Sequence, residues 1–186
     1  MSHPLDDLIS LAERTYVRLE AEQLIEDCLM NANPEPMNRL LEELVMAGMD
    51  SLIVLREILS VIRSVKSTIN QEGMEVQHDL RKTLSQFGIG WPRDPSGGTP
   101  ESYWHIYHYG LYQEIKAHAP WLKMEDQLIL EEICNEAGKR VNKIVRRLVL
   151  LKDLEETVMD WINGLIHEIA HSTNLYPWSR QASFHH

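Results

Sequence analysis

The apolar residues of this chain recur at the spacing of one α-helix face along almost its whole length, and this limits the possible folds more than any other feature. The first run is already clear at Leu5, Leu8, Ile9 and Ala12, and it continues at similar spacing to Cys28. Runs of the same kind follow in later segments, whereas the strict alternation that is typical of a half-buried strand is not the governing pattern. The sequence therefore predicts an all-α fold.

Proline, glycine and capping residues divide this pattern into six or seven predicted helices. Residues 31–36, Asn-Ala-Asn-Pro-Glu-Pro, are expected to end the first helix, and Asn33 is expected to cap the second. We expect Gly48 to close the second helix and Asp50 to cap a third, which Gly73 breaks or kinks before a segment over 74–87. These signals place four helices before residue 88.

The second half of the chain contains the one long loop, expected at 88–100, which holds four of the nine glycines and three of the eight prolines. Thr99 is expected to cap a helix that runs to about Ala119, and Pro120 to start the next. The capping box Asp-Leu-Glu-Glu at 153–156 predicts a last helix that reaches about Thr173. We predict a helical bundle in a single domain, 1–175, with a C-terminal tail at 176–186.

Composition and charge exclude several classes of protein. The hydrophobic fraction is 44% and no apolar run is long enough to span a bilayer, so no transmembrane segment is expected. The N-terminus lacks the features of a secretory signal, and the two cysteines lack metal-site spacing, which together favour a cytoplasmic location and buried, reduced thiols. A net charge of −10 argues against a general nucleic-acid-binding protein, since phosphate contacts need clustered cations.

One short motif has a defined chemistry. His167-Glu168-Ile169-Ala170-His171 places two imidazoles at i and i+4 on one helix face, where they could share a Zn²⁺ while Glu168 acts as general base. Over about ten residues this box resembles that of zinc-dependent metallopeptidases. The resemblance implies a zinc-dependent hydrolase, but Ser172 to His186 contain no Asp, Glu or Cys that would complete the site.

Two further patterns lead to other functions. The pairs Glu75–His78 and Glu168–His171 have the spacing used by helical di-iron and di-manganese proteins, with Glu42 or Glu43 and Glu131 or Glu132 as additional ligands. His78-Asp79-Leu80-Arg81 resembles the H-box of sensor histidine kinases. The chain has no glycine-rich ATP-binding region, so this resemblance implies a histidine phosphotransfer helper, not a kinase. The alternative interpretation is a surface His78 with Leu80 and Leu84 in the core.

An aromatic segment beside the long loop is a candidate binding surface. It offers large contact areas with polar tips for a partner protein or a planar cofactor, although a central helix with its Tyr hydroxyls at the surface is the alternative. The residues proposed for binding here, within the region 88–115, are Trp91, Tyr103, Trp104, His105, Tyr107 and His108.

Opposed charges mark a second candidate surface. Residues 139–152 carry six bases and no acid, whereas residues 1–50 carry eleven acids and three bases. The proposed binding residues in the basic helix 139–152 are Lys139, Arg140, Lys143 and Arg147. A basic amphipathic helix can bind an acidic partner, an anionic ligand or a membrane surface, and it can also pair with the acidic first fifty residues of its own chain or of a second copy.

No known family is recognised over the length of the chain, and no complete catalytic set is identified. The primary hypothesis is a non-enzymatic regulatory or adaptor protein that uses the aromatic region 88–115 and the basic helix 139–152 to bind another protein, itself as a homodimer, or a ligand, with no cofactor. The alternatives are a zinc-dependent hydrolase using His167, Glu168 and His171, and a phosphotransfer helper using His78.

Overall fold

The structure, a computed structural model, describes residues 4–45, 51–90 and 111–173, and within these ranges it is helical without any strand. Five helices follow one another along the chain: α1 (Pro4–Asn31), α2 (Glu35–Val45), α3 (Ser51–Gln86), α4 (Leu111–His118) and α5 (Met124–Thr173). The predicted all-α class is confirmed for these residues. The predicted number of helices is not, because α3 and α5 each join two segments that the sequence signals had separated.

The turn between α1 and α2 forms where proline and asparagine predicted it. Ala32 adopts a left-handed conformation with φ of 48°, and the Asn33 amide donates to the Cys28 carbonyl at 3.0 Å, which closes the C-terminus of α1. The side chain of Asn33 then accepts a hydrogen bond from the Glu35 amide at 3.0 Å. Asn33 therefore caps α2 as predicted.

Helix α3 passes through Gly73 without interruption, so of the two outcomes predicted there the break is wrong, while the kink stays a prediction. Gly73 is itself buried, and Ile69, Val76 and Leu80 are buried on either side of it at helical spacing. A glycine inside a helix costs only about 1 kcal/mol relative to alanine. Burial of the apolar side chains on both sides exceeds that cost, and the helix continues.

Helix α5 likewise continues through the capping box at 153–156, and the restart predicted there is wrong. The Glu156 carboxylate lies 4.0 Å from the Lys152 ammonium of the preceding turn, and the Thr157 hydroxyl donates to the Asp153 carbonyl at 2.9 Å. Leu151, Leu154 and Val158 are all buried across this stretch. The continuous apolar face therefore outweighs the local capping signal.

The start of α5 also differs from the prediction. It begins at Met124, four residues after Pro120, because residues 119–123 form a turn in which the Leu122 amide donates to the Ala119 carbonyl at 3.3 Å. The side-chain amide of Gln127 donates to the Leu122 carbonyl at 3.0 Å and ties this turn to the first turn of α5. Leu122 is buried, so both hydrogen bonds to its backbone and a buried side chain hold this turn in place.

Only the first residues of the predicted 88–100 loop are described, and they end α3. Gly88 has a φ of 76°, its amide donates to the Ser85 carbonyl, and the Ile89 amide donates to the Leu84 carbonyl, both at 3.0 Å. This is a Schellman C-cap, in which glycine occupies the left-handed position at little steric cost. The rest of that loop, the helix start predicted at Thr99, and Gly48 and Asp50 lie outside the described residues.

The chain forms two compact units. Unit one comprises Met1–Ser64 and Leu150–His186, and unit two comprises Val65–Val149. Among the described residues, the core of unit one contains Ile25 and Cys28 of α1, Met37 and Leu41 of α2, Leu55, Ile58 and Ile62 of α3, and Leu151, Leu154 and Val158 of α5.

The core of unit two is built from α3, α4 and α5, and its most deeply buried side chains include Val76 and Leu84, Ile115, Leu130 and Val141. The single domain predicted over 1–175 stays a prediction, and the predicted tail, 176–186, lies outside the described residues. Across the described part of the chain, no helix has a stretch long and apolar enough to cross a bilayer.

Candidate functional site

A cleft in unit two separates one face of α3 from one face of α5, and we call it the unit-two cleft. Its volume is about 280 Å³. Residues spaced by three, four or seven positions share a helix face, which is why each helix supplies a compact set. The lining consists of Val76, Asp79, Leu80 and Thr83 from α3, and of Ile129, Glu132, Ile133, Glu136, Ala137 and Arg140 from α5.

The lining is apolar at its base and charged at its rim. Val76 and Leu80 are almost fully buried, whereas Ile129 keeps 50% of its surface exposed. An isoleucine half exposed beside buried neighbours leaves apolar surface in contact with water, at about 25 cal/mol for each Å². A ligand that covers Ile129 would recover that free energy, so the cleft is suited to an apolar group.

Carboxylates dominate the rim. Asp79 lies 4.0 Å from the Arg140 guanidinium, and Glu136 accepts a hydrogen bond from the Lys139 ammonium at 2.9 Å. The Glu136 hydrogen bond and charge, with a smaller contribution from Glu132, raise the pKa of Lys139 above its usual value. Glu132 makes no hydrogen bond or ion pair with any described residue, so it is the rim carboxylate most available to a cationic ligand.

The basic helix predicted at 139–152 is largely engaged within the chain. Lys139 and Arg140 pair as described above, and the Arg147 guanidinium donates to the Glu72 carboxylate at 2.6 Å. Lys143 is exposed and, like Arg146, has no hydrogen bond or ion pair with the described residues. Of the four binding residues predicted in this helix, only Lys143 retains an unpaired charge.

The predicted pairing of this basic helix with the acidic first fifty residues stays a prediction. The pairs found for its bases are with Glu72 and Asp79 of α3 and with acids of α5 itself. Among the N-terminal acids, Glu35 pairs with Arg39 one turn along α2 at 3.6 Å. The acids that pair with Arg140 and Arg147 lie on α3, far away in the sequence, so the sequence of the basic helix alone does not identify them.

The aromatic segment lies outside the described residues. Its predicted binding residues therefore stay predictions: Trp91, Tyr103, Trp104, His105, Tyr107 and His108.

The predicted zinc box lies near the C-terminal end of α5. His167, Glu168 and His171 are all exposed, and the two imidazoles occupy the i and i+4 positions that the motif requires. Within residues 4–45, 51–90 and 111–173, no group of three or more His, Cys, Asp or Glu side chains is placed to hold a metal ion. A third zinc ligand would have to come from outside these ranges, and the zinc hydrolase stays a prediction.

The same observation applies to the di-iron or di-manganese pattern. Glu75, His78, Glu131 and Glu132 are exposed, as are Glu42, Glu43, Glu168 and His171. In helical di-metal proteins the ligands project into the interior of a bundle. These side chains point to solvent, so the described residues do not form such a centre.

His78 is exposed on α3, while Leu80 and Leu84 of the H-box resemblance are buried. The neighbouring Asp79 lies near Arg140 at the rim of the unit-two cleft. A surface histidine with two core leucines is the alternative interpretation of this motif, and its burial pattern is confirmed. The phosphotransfer role itself stays a prediction.

Both cysteines are buried free thiols, as the sequence indicated. Burial raises the pKa of Cys134 to about 11, and burial is also the main reason that the pKa of Cys28 is raised. A thiol with a raised pKa is a poor nucleophile near neutral pH. Neither cysteine is therefore a candidate catalytic group.

Sequence reasoning did not predict the unit-two cleft, although it named four of its lining residues in other patterns: Arg140 in the basic helix, Asp79 and Leu80 in the H-box, and Glu132 as a possible metal ligand. The periodic positions Val76, Leu80, Ile129 and Ile133 were visible as apolar residues on helices, but periodicity does not show which of them stay open to water. Comparison with known proteins adds no assignment, because the chain matches no family model, no curated protein and no solved structure.

Proposed function

We propose that this chain is a non-enzymatic helical binding protein, a regulatory or adaptor module that holds a segment of a partner protein in the unit-two cleft. The observation that carries the proposal is an apolar lining left open between two long helices, with Ile129 half exposed at its mouth. Grooves of this kind commonly accept the apolar face of an amphipathic helix.

The cleft has a volume that a few protein side chains can fill. Pockets that enclose small organic ligands usually have volumes of about 300–1,000 Å³. The unit-two cleft, at about 280 Å³, falls just below that range. It has room for apolar anchors that project from a partner helix lying across its mouth.

The rim charge indicates the character of the partner. Asp79, Glu132 and Glu136 border the cleft, and Arg140 is the one cation among its lining residues. Complementary charge steers association and fixes the register of a docked segment. The partner segment is therefore an amphipathic helix with basic residues beside its apolar anchors.

This proposal keeps part of the surface predicted from the sequence, since Arg140 belongs both to the basic helix 139–152 and to the unit-two cleft. The aromatic part of the predicted surface remains a separate prediction.

The test uses two synthetic amphipathic peptides as probes, one with leucines on one face and lysines on the other, and one with glutamates replacing the lysines. Binding to the full chain is measured by isothermal titration calorimetry. We expect the basic peptide to bind and Ile129→Ala to weaken it by about tenfold, the usual effect of losing an apolar anchor.

The matched control is Ile53→Ala, because Ile53 on α3 is 52% exposed and lies in unit one. It should leave peptide affinity unchanged. Equal effects of the two substitutions, or no binding of either peptide, would contradict the proposed function. Tighter binding of the acidic peptide would contradict the assigned partner charge.

A further inference from the structure

We propose that the outer face of α5 in unit two is a self-complementary surface on which a second copy of this chain packs, with the two α5 helices antiparallel about a two-fold axis. We define the α5 outer face by five exposed residues, which are Leu128, Glu131, Lys143, Arg146 and Val149. It is separate from the unit-two cleft, because Leu128 lies about 100° around the helix from Ile129.

Apolar residues mark the two ends of this face. Leu128 is 62% exposed and Val149 is 49% exposed, and Met124, one turn before Leu128, is 72% exposed. Leu128 and Val149 are about 30 Å apart along the helix at 1.5 Å per residue. Covering them in a dimer would remove both ends of the face from water.

Charges of opposite sign lie between these ends. Glu131 follows Leu128, and Lys143 and Arg146 precede Val149. None of these three makes a hydrogen bond or an ion pair with any residue in the described parts of the chain. The face thus carries an acidic half and a basic half, neither neutralised by its own chain.

The positions of these residues fit a two-fold axis. Gly138 and Lys139 lie midway between Leu128 and Val149, and they also lie midway between Glu131 and Arg146. In an isologous interface, residue i of one copy meets residue j of the other, and j meets i. An antiparallel pair centred here therefore places Leu128 against Val149 and Glu131 against Arg146, each twice.

Lys139 would lie close to its symmetry mate at the axis, where two like charges repel. Its ammonium is already paired with Glu136 of its own helix at 2.9 Å, which supplies a local counter-charge. A parallel arrangement is disfavoured, because it would place Glu131 against Glu131 and Arg146 against Arg146. Charge complementarity thus selects both a second copy and its direction.

The test measures self-association of the full chain by sedimentation equilibrium over a range of concentrations. We expect the wild type to form a dimer, and we expect Glu131→Arg and Arg146→Glu each to weaken it by about tenfold or more, since each creates like-charge contacts across the axis. An equimolar mixture of the two variants should dimerise again, because both contacts then join opposite charges.

Lys82→Glu provides a matched charge reversal at an exposed position of α3, and it should not change the dimer. Far-UV circular dichroism establishes that each variant is folded. A wild-type chain that is monomeric at every concentration would overturn the proposal. So would a mixture of Glu131→Arg and Arg146→Glu that stays monomeric, since an antiparallel two-fold pair requires the rescue.

Discussion

Two glycines offer a test in which backbone conformation alone decides the sign of a stability change. Gly88 has a φ of 76° at the C-terminus of α3, and Gly164 is an exposed residue inside α5. Apart from the adjacent residues and the backbone of its own helix, a Cβ atom added at either position would meet no atom within 4 Å. Packing therefore contributes little to either Gly→Ala substitution.

The magnitudes follow from the two conformations. Gly164→Ala should raise the free energy of unfolding by about 0.5–1 kcal/mol, because alanine loses less conformational entropy than glycine in a helix. Gly88→Ala should lower the free energy of unfolding by about 1 kcal/mol, because the left-handed conformation costs an alanine about 1–2 kcal/mol. Alanine also lowers the conformational entropy of the unfolded chain, which offsets only part of that cost.

The assay is urea unfolding of both variants and the wild type, followed by circular dichroism. With an m-value of about 2 kcal/mol per molar urea, the midpoints of the two variants should differ by about 1 M. If both midpoints move in the same direction, the assignment of Gly88 to the left-handed C-cap, or of Gly164 to a helix interior, is refuted. Unchanged m-values would show that the substitutions change stability without changing the surface area that is exposed on unfolding.

Three further predictions concern local interactions. Ala32→Gly should stabilise the chain by up to about 1 kcal/mol in the same urea assay, because Ala32 occupies a left-handed conformation that glycine adopts freely; a loss of stability would contradict the described turn. A double-mutant cycle with Glu72→Gln and Arg147→Met should give a coupling energy of about 0.5–1 kcal/mol in favour of the pair, and additive effects would show that the ion pair contributes nothing. The pKa of Cys134 is about 11 in the folded chain against an ordinary value of 9.0, so folding favours the protonated thiol. The stability of the wild type relative to Cys134→Ala should therefore be highest below pH 9 and fall by up to about 1.4 kcal/mol per pH unit between pH 9 and 11. A difference that does not change with pH over that range would contradict the burial of this thiol.

Local signals in the sequence succeeded where the chain must turn. Asn33 and Pro34 end α1 and begin α2. Pro34 has no backbone N–H to continue the first helix, and the side-chain oxygen of Asn33 accepts a hydrogen bond at the start of the second. Such features depend on the backbone at the site itself, so neighbouring sequence is enough to locate them.

The same kind of signal failed at Gly73 and at Asp153. Both positions permit a break, but neither requires one, and the outcome depends on the apolar side chains buried before and after them. The candidate site shows the same limitation. Arg140 and Arg147 were visible as cations, whereas their partners Asp79 and Glu72 lie on another helix, far away in the chain.

The sequence by itself determined that the described residues are helical and where α1 ends and α2 begins, because apolar spacing, proline and capping side chains act over one or two helix turns. Only the tertiary structure decided that α3 and α5 run on without a break, which charges are neutralised, and that apolar surface stays open at Ile129. The physical reason is that burial and ion pairing depend on the residues that a neighbouring helix presents, and helical periodicity carries no information about which helices become neighbours.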